Sequence, residues 1–331
     1  MKLLKKLRLP HPGHKLARQH GRDLRPVSDR SSRIKPSDLL VFVTCRNEKV
    51  RLPYFLDYYR KAGVDHFLFV DNDSSDGSRE FLASQEDCSV WTTSASYRDA
   101  KFGVHWLNHL LRRHGTGHWC LTLDPDEFLV FPYNDTRNLK ALCSFLDSNK
   151  KESFFSILLD MYPRDSVEDA VYSSGQNPLE VAPWFDPAGY HQEKAPQCDW
   201  WTRGGVRRRV FFADNPDEAP ALNKTVLVKW RKSFLYLSST HVLRPFRLNE
   251  PHFRDDLCPT GCLLHFKYMA MFKQKVDEEM KRKQHYAGSR EYGRYAAMFA
   301  RHDHLWCEGS ARYEDWRQLA HLGLLTTGRW F

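Results

Sequence analysis

Between residues 38 and 160 the chain alternates short apolar runs with longer stretches of helical periodicity. The apolar runs lie in "DLLVFVTCRNE" (38–48), "VDHFLFVDNDSSDGS" (64–78), "CSVWTTSA" (88–95), "HWCLTLDPDEFLVF" (118–131) and "FFSILLD" (154–160). Between them stand "RLPYFLDYYRKAG" (51–63), "SREFLASQ" (78–85), "RDAKFGVHWLNHLLRRHG" (98–115) and "NLKALCSFLDSNK" (138–150). Gly63 and Gly115 suit helix C-termini, and Ser74, Ser75 or Asp76 suits an N-cap. Strand, helix, strand in this order predicts βαβ units. The expected fold class is α/β, a mostly parallel central sheet flanked by helices.

Ligands of such sheets sit outside the carboxyl ends of the strands. "TCRNE", "DNDSSDG" and "DPDE" all fall at such ends, so three polar loops should meet at one crevice. Beyond residue 160 the alternation fades into aromatic, basic and proline-rich text. "GGVRRRVFF" (204–212), "LVKWRKSFLYL" (227–237) and "THVL" (240–243) read as short strands and turns. "CLLHFKYMAMFKQKVDEEMKRKQHY" (262–286) begins as a strand and becomes a charged helix. The expected organisation is a flexible basic arm over 1–36, an α/β half over 37–160, an irregular second half of the same domain over 161–275 and a C-terminal helical segment over 276–331.

The formal net charge of +9 favours an anionic partner, and much of the excess lies in the first 35 residues. "LRLP" ends that segment's apolar content too early for a signal peptide. No run reaches the roughly 18 apolar residues of a membrane span. A short basic helix over residues 2–9 would suit peripheral contact with an anionic membrane surface. The eight cysteines are scattered, as in reduced core thiols of a cytoplasmic protein, with Cys258 and Cys262 the one close pair. The expected location is the cytoplasm, with peripheral contact at the inner face of the membrane.

Asp124, Asp126 and Glu127 interrupt the apolar text of residues 121–131. Acids survive such surroundings when a cation or ligand satisfies them. Asp-x-Asp at a strand end puts two carboxylates on the same side of an extended chain, which suits Mg²⁺ or Mn²⁺ completed by substrate phosphates. Asp71 ends its strand and would accept hydrogen bonds from a base or ribose. Asn72 follows it, while Asp76 before Gly77 also suits a tight turn and a helix cap. Thr44, Arg46, Asn47 and Glu48 leave the first strand, and Arg46 would bind phosphate or hold Glu48 in an ion pair.

"VFVTCRNE…LPYFLDYYRKAGVDHFLFVDNDSSDGS…LDPDEFLVF" resembles the family 2-type glycosyltransferases of the GT-A fold, above all their bacterial RNE, DNxSxDG, DxDEF branch. The resemblance covers residues 39 to 132 and continues more loosely to about 275. It implies a nucleotide-sugar donor, a divalent cation (Mn²⁺ or Mg²⁺) and glycosyl transfer with inversion. By that similarity Thr44 and Glu48 lie near the nucleotide, Asp71 meets the base, Asp124 meets ribose or metal, and Asp126 coordinates the metal. Lys101 is a looser donor contact. The resemblance also puts a late histidine, His265, in the metal sphere, with His241 as its competitor. The acceptor hydroxyl needs a general base, and relatives place an aspartate well beyond the Asp-x-Asp. Asp199 falls in that range, with Glu193, Asp214 and Asp217 as competitors, and Glu127 would orient the site or accept a hydrogen bond from the acceptor.

"RGGVRRR" (203–209) would clamp phosphates or protect a strand edge. No recognition motif accompanies it, so no nucleic-acid partner is expected. Trp184, Trp200, Trp201 and Trp230 would shape an acceptor pocket or fill core. The functional expectation is a metal-dependent enzyme that moves a sugar from a nucleotide-diphosphate donor, a UDP-sugar by preference, to a glycan or glycolipid. The rival classes are a metal-dependent phosphodiesterase or nuclease and a non-catalytic nucleotide-sugar-binding protein.

Overall fold

The structure, a computed structural model, describes residues 11–195, 198–250, 257–272, 276 and 304–330. Strands Arg25–Ser28 (β1), Leu40–Cys45 (β2), His66–Asp71 (β3), Cys88–Thr92 (β4), Trp119–Leu123 (β5), Glu127–Val130 (β6) and Ser153–Asp160 (β7) join the later strands Asn223–Lys229 and Gly261–His265 in one nine-stranded sheet. Helices Pro12–His20 (α1), Leu52–Lys61 (α2), Ser78–Ala83 (α3), Val104–Leu110 (α4) and Leu139–Ser148 (α5) accompany them.

Alternate residues of the central strands serve opposite faces. Val41, Val43 and Cys45 of β2 enter one core with Phe67 and Phe69 of β3, while Leu40, Phe42, Leu68 and Val70 enter the other. The first core takes Phe55 and Tyr59 of α2 and Leu142 of α5. The second takes Trp106 and Leu110 of α4. Both faces are therefore apolar, which is why these strands read as continuous hydrophobic runs.

The sheet is mixed rather than mostly parallel. The pairs β4–β3, β3–β2, β2–β5 and β7 with Gly261–His265 are parallel. The pairs β1–β4, β5 with Asn223–Lys229, that strand with β7, and β6 with Gly261–His265 are antiparallel. The antiparallel additions come from segments whose connections do not follow the βαβ pattern, so no crossover forces them parallel.

Three further expectations are corrected. The arm expected to be flexible over 1–36 carries structure from residue 11 onward. Helix α1 packs against α4, β1 pairs with β4, and Arg30 donates to the Cys88 and Ala83 carbonyls at 3.0 and 2.9 Å. The basic helix expected over residues 2–9 lies outside the described residues. "HWCLTLDPDEFLVF" is two strands, with a turn at Asp124–Asp126 carrying the chain from β5 to β6 at the far edge. Residues 207–211 form a helical turn where a strand was expected, because buried Arg207 turns inward to a carboxylate. Half of the C-terminal segment over 276–331 is outside the described residues, but Trp316–His321 is helical. Among the described residues no helix is long and apolar enough to cross a membrane.

Gly261 opens the strand that ends at His265. A Cβ there would lie 2.7 Å from a Phe154 ring carbon and 2.7 Å from the Val130 carbonyl oxygen. Neither neighbour has room to retreat inside the sheet, so Gly261→Ala should cost about 1–3 kcal/mol of stability. Urea denaturation checks this, and a midpoint equal to wild type refutes it.

Candidate active site

Because β2, β3, β4 and β5 are mutually parallel, their carboxyl ends share one edge of the sheet. The loops leaving that edge are stitched to one another. Asn47 N–H donates to Ser74 Oγ at 3.0 Å, Glu48 N–H to Ser78 Oγ at 2.9 Å and Lys49 N–H to Asp76 Oδ2 at 2.9 Å. Asn72 Nδ2 donates to the carbonyls of Thr93 and Ala95 at 3.0 and 3.1 Å.

Several expected donor contacts are occupied in this scaffold. The N-cap of α3 is Gly77 rather than the expected Ser74, Ser75 or Asp76, but Asp76 Oδ1 accepts from Ser78 N–H at 2.9 Å, which holds the Asp76 carboxyl below its usual range despite partial burial. Asn47, at φ 53°, accepts through Oδ1 from Ser75 N–H at 2.9 Å. Glu48 pairs with buried Arg51 at 2.9 Å. Arg46 donates to the Asn72 carbonyl at 2.7 Å. Asp71 is fully buried and accepts through Oδ2 from Ser74 N–H at 3.2 Å, while its Oδ1 has no hydrogen-bond partner.

Thr44, Asp124 and Glu127 line a common cleft with Tyr97, Phe102, Tyr236 and Thr240. Thr44 Oγ1 is buried there without a hydrogen-bond partner. The cleft holds about 60 Å³. Its wall includes Phe102 (φ 59°), the middle of three consecutive left-handed residues with Lys101 (φ 53°) and Gly103 (φ 76°). The side chain of Lys101 is exposed. A larger groove of about 620 Å³ runs past Lys49, Ser75 and Arg79 at the start of α3 and holds none of the Asp-x-Asp carboxylates.

Glu127 is buried, and its Oε1 accepts from Lys224 Nζ at 2.8 Å while Oε2 accepts from Asp124 N–H at 3.1 Å. Burial raises its pKa, and Lys224 offsets only part of that rise. Burial works against the charge of Lys224 too, but Glu127 and Asp124 outweigh it and raise its pKa. Glu127 thus orients the Asp124 turn while lining the cleft. The exposed Asp124 side chain is crowded by surrounding protein and by Glu127, which push its carboxyl up to about 7.

Asp126 Oδ2 lies 3.8 Å from His265 Nε2. These two side chains come from distant parts of the chain and meet because β6 pairs with Gly261–His265, placing Glu127 across from His265. Among the described residues no group of three His, Cys, Asp or Glu side chains gathers at metal-ligand spacing. Two such ligands suit Mg²⁺ or Mn²⁺, which take the rest of their sphere from water and substrate phosphates. Ligand atoms around one cation at about 2.1 Å lie roughly 3–4 Å apart, so the donor pair fits.

Other expectations do not converge here. His241 Nδ1 lies 2.7 Å from the Asn223 carbonyl, a structural bond. The Asp199 side chain lies outside the described residues, although its backbone belongs to the strand Cys198–Arg203. Its competitors Glu193 and Asp217 are paired with Arg203 and Arg208. Trp230 is core, packed on Phe234 and Tyr236. Sequence reasoning missed Lys224, Asp160 and Arg51. Asp160 had a signal, being an acid that ends an apolar strand as Asp71 does.

No family model matches the chain, and no curated protein matches it.

Removing the ammonium that serves Glu127 leaves a buried anion. Lys224→Met should therefore cost about 3–5 kcal/mol, with Glu127→Gln added to it recovering most of the loss. Urea titration of the single and double variants decides this, and a cost below about 1 kcal/mol for Lys224→Met would contradict it. Asp124 binds its proton more tightly folded than unfolded, where its value is 3.8. Stability on this account is lost as pH rises from about 4 to about 7. Metal-free Asp124→Asn should melt above wild type at pH 8, the gain vanishing toward pH 4. An unchanged or lower melting temperature at pH 8 would rule this out.

Proposed function

We propose that this chain is a metal-dependent glycosyltransferase of GT-A type. It moves a sugar, with inversion, from a nucleotide-diphosphate donor to a glycan or glycolipid acceptor, and a UDP-sugar is the preferred donor. One observation carries the reading: the Asp-x-Asp turn leaves the carboxyl edge of a parallel four-strand unit, and its Asp126 faces His265 at 3.8 Å. Open α/β sheets bind nucleotides at that edge. The resemblance of the "RNE", "DNDSSDG" and "DPDEF" text supports the substrate class.

Asp126 and His265 would hold the divalent cation, with Asp124 beside them. When bound, the cation supplies a Lewis acid that stabilises charge on the leaving diphosphate. The chain's own groups do the rest. Glu127 pins the backbone of Asp124. Asp71 Oδ1, buried and unpartnered, is an acceptor suited to a base N–H. Asp199 is the base implied by the resemblance, drawing the proton from the acceptor hydroxyl.

A nucleotide sugar needs a pocket of about 300 Å³ or more, so the cleft must widen when donor binds. The left-handed turn through Lys101 and Phe102 is the wall poised to move, each residue storing about 1–2 kcal/mol of backbone strain. Amide exchange over residues 97–103 should change on addition of UDP and Mn²⁺; unchanged exchange under saturating ligand would argue against this motion.

The deciding assay is transfer or donor hydrolysis with a panel of nucleotide sugars, with Mn²⁺ and with EDTA. Turnover should require the metal, and Asp126→Ala should lower it on the order of 10²-fold or more. Equal turnover in EDTA would overturn the reading. Cleavage of nucleic acid would point to a phosphodiesterase, and UDP binding without turnover to a binding protein.

A further inference from the structure

Asp160 closes β7, and Arg207 sits in the helical turn after Gly204 and Gly205. Both are buried, and neither has a part in the transfer reading so far. The Asp160 carboxylate binds two partners at once. Arg207 Nε donates to Oδ2 at 2.7 Å and Nη2 to Oδ1 at 2.9 Å, a two-point clamp. His265 Nδ1 lies 2.6 Å from Oδ1.

The proton on that last bond has one home. Arg207 donates to both Asp160 oxygens, the pairing a guanidinium makes with an ionised carboxylate, so the carboxylate is an acceptor only. Nδ1 of His265 must therefore be the donor. Arg207 Nη2 also lies within hydrogen-bond distance of Nδ1, at 3.3 Å, a longer contact than the 2.6 Å bond to Asp160. In the neutral ring, Nε2 then keeps its lone pair, on the side of the ring facing Asp126 Oδ2.

The backbone holds the same arrangement. His265 stands opposite Asp160 in the parallel ladder, and Met161 N–H donates to the His265 carbonyl at 2.9 Å. Phe266 N–H donates to the Asp126 carbonyl at 2.9 Å. Three segments far apart in sequence are locked in register around one imidazole.

We propose that Asp160, clamped by Arg207, is the positioning residue that fixes His265 in the Nδ1-protonated form and orientation, presenting Nε2 beside Asp126 as the nitrogen ligand of the divalent cation. The inference rests on the preceding reading only for the presence of that cation. A purely structural ion pair would hold β7 to the Arg207 turn and leave metal affinity unmoved. A carboxylate behind a metal-ligating histidine sets the ring's tautomer and raises its ligand strength.

Two measurements on the full-length protein test it. The first uses metal-free wild type with ¹⁵N-labelled histidine, the His265→Gln variant identifying the signals of this ring. The expected spectrum has a protonated Nδ1 and an unprotonated Nε2; the opposite tautomer overturns the proposal, with Asp160 untouched. The second titrates Mn²⁺ alone, followed by the loss of free-ion paramagnetic resonance. Asp160→Asn should weaken binding by about 10–100-fold. Arg207→Lys keeps the charge and loses the two-point clamp, so it should weaken binding in the same direction, on the order of tenfold. It carries this arm if Asp160→Asn does not fold. Wild-type affinity in the folded variants overturns the positioning role while Asp126-dependent binding leaves the transfer reading standing. Absence of Mn²⁺ binding to wild type, or binding indifferent to Asp126→Ala, overturns both.

Discussion

The bond between Lys224 and Glu127 holds together the place where the sheet changes character. Strand β5 pairs with Asn223–Lys229 only through Leu121, two residues before it ends. The chain then crosses to the opposite edge of the sheet in the turn Asp124–Asp126 and resumes as β6. Such a crossing leaves polar groups inside the protein, and Lys224 meets Glu127 there, both nearly inaccessible to water. An isolated charge in that position would be driven to neutrality. Paired, it becomes a fixed post from which Glu127 holds the Asp124 backbone.

Two more buried pairs surround the same carboxylates. Arg51 binds Glu48 and also donates to the Phe266 carbonyl at 3.2 Å, linking the first loop to the segment after His265. The fields of Glu48 and Asp126 raise the Arg51 pKa against the effect of burial. Arg207 and Asp160 form the third. Replacing such pairs with apolar residues often costs nothing in stability, so stability alone does not explain three of them around one turn. What they supply is position: each ties a carboxylate or its backbone to a strand of the sheet, and together they hold Asp124, Asp126 and His265 within a small volume.

Much of the donor half was legible in the sequence. The runs "LVFVTC", "HFLFVD" and "WCLTL" became β2, β3 and β5 because both faces of a covered sheet are apolar. The polar exits could be assigned to one edge because parallel strands have their carboxyl ends together. The role of each polar residue was not legible. Glu48, Asn47, Asn72 and Asp76 look alike as loop polars, yet they hold loops together through bonds to residues more than 20 positions away, that of Glu48 through its backbone N–H. The arginines of "RGGVRRR" looked like one cluster. Arg207 and Arg209 instead turn to separate acids, Asp160 and Asp186, because the segment is helical rather than extended.

The sequence by itself determined the α/β character, the two-faced core and the gathering of "TCRNE", "DNDSSDG" and "DPDE" at one edge. Each follows from local periodicity and from the geometry of βαβ units, which need no distant contact to be inferred. Tertiary structure alone decided that half the strand pairs are antiparallel, that Glu127 answers to Lys224, and that Asp126 meets His265. Those outcomes depend on which late strands insert into the sheet and in what register. Register joins residues more than a hundred positions apart, and a one-residue slip would turn every one of these side chains to the other face.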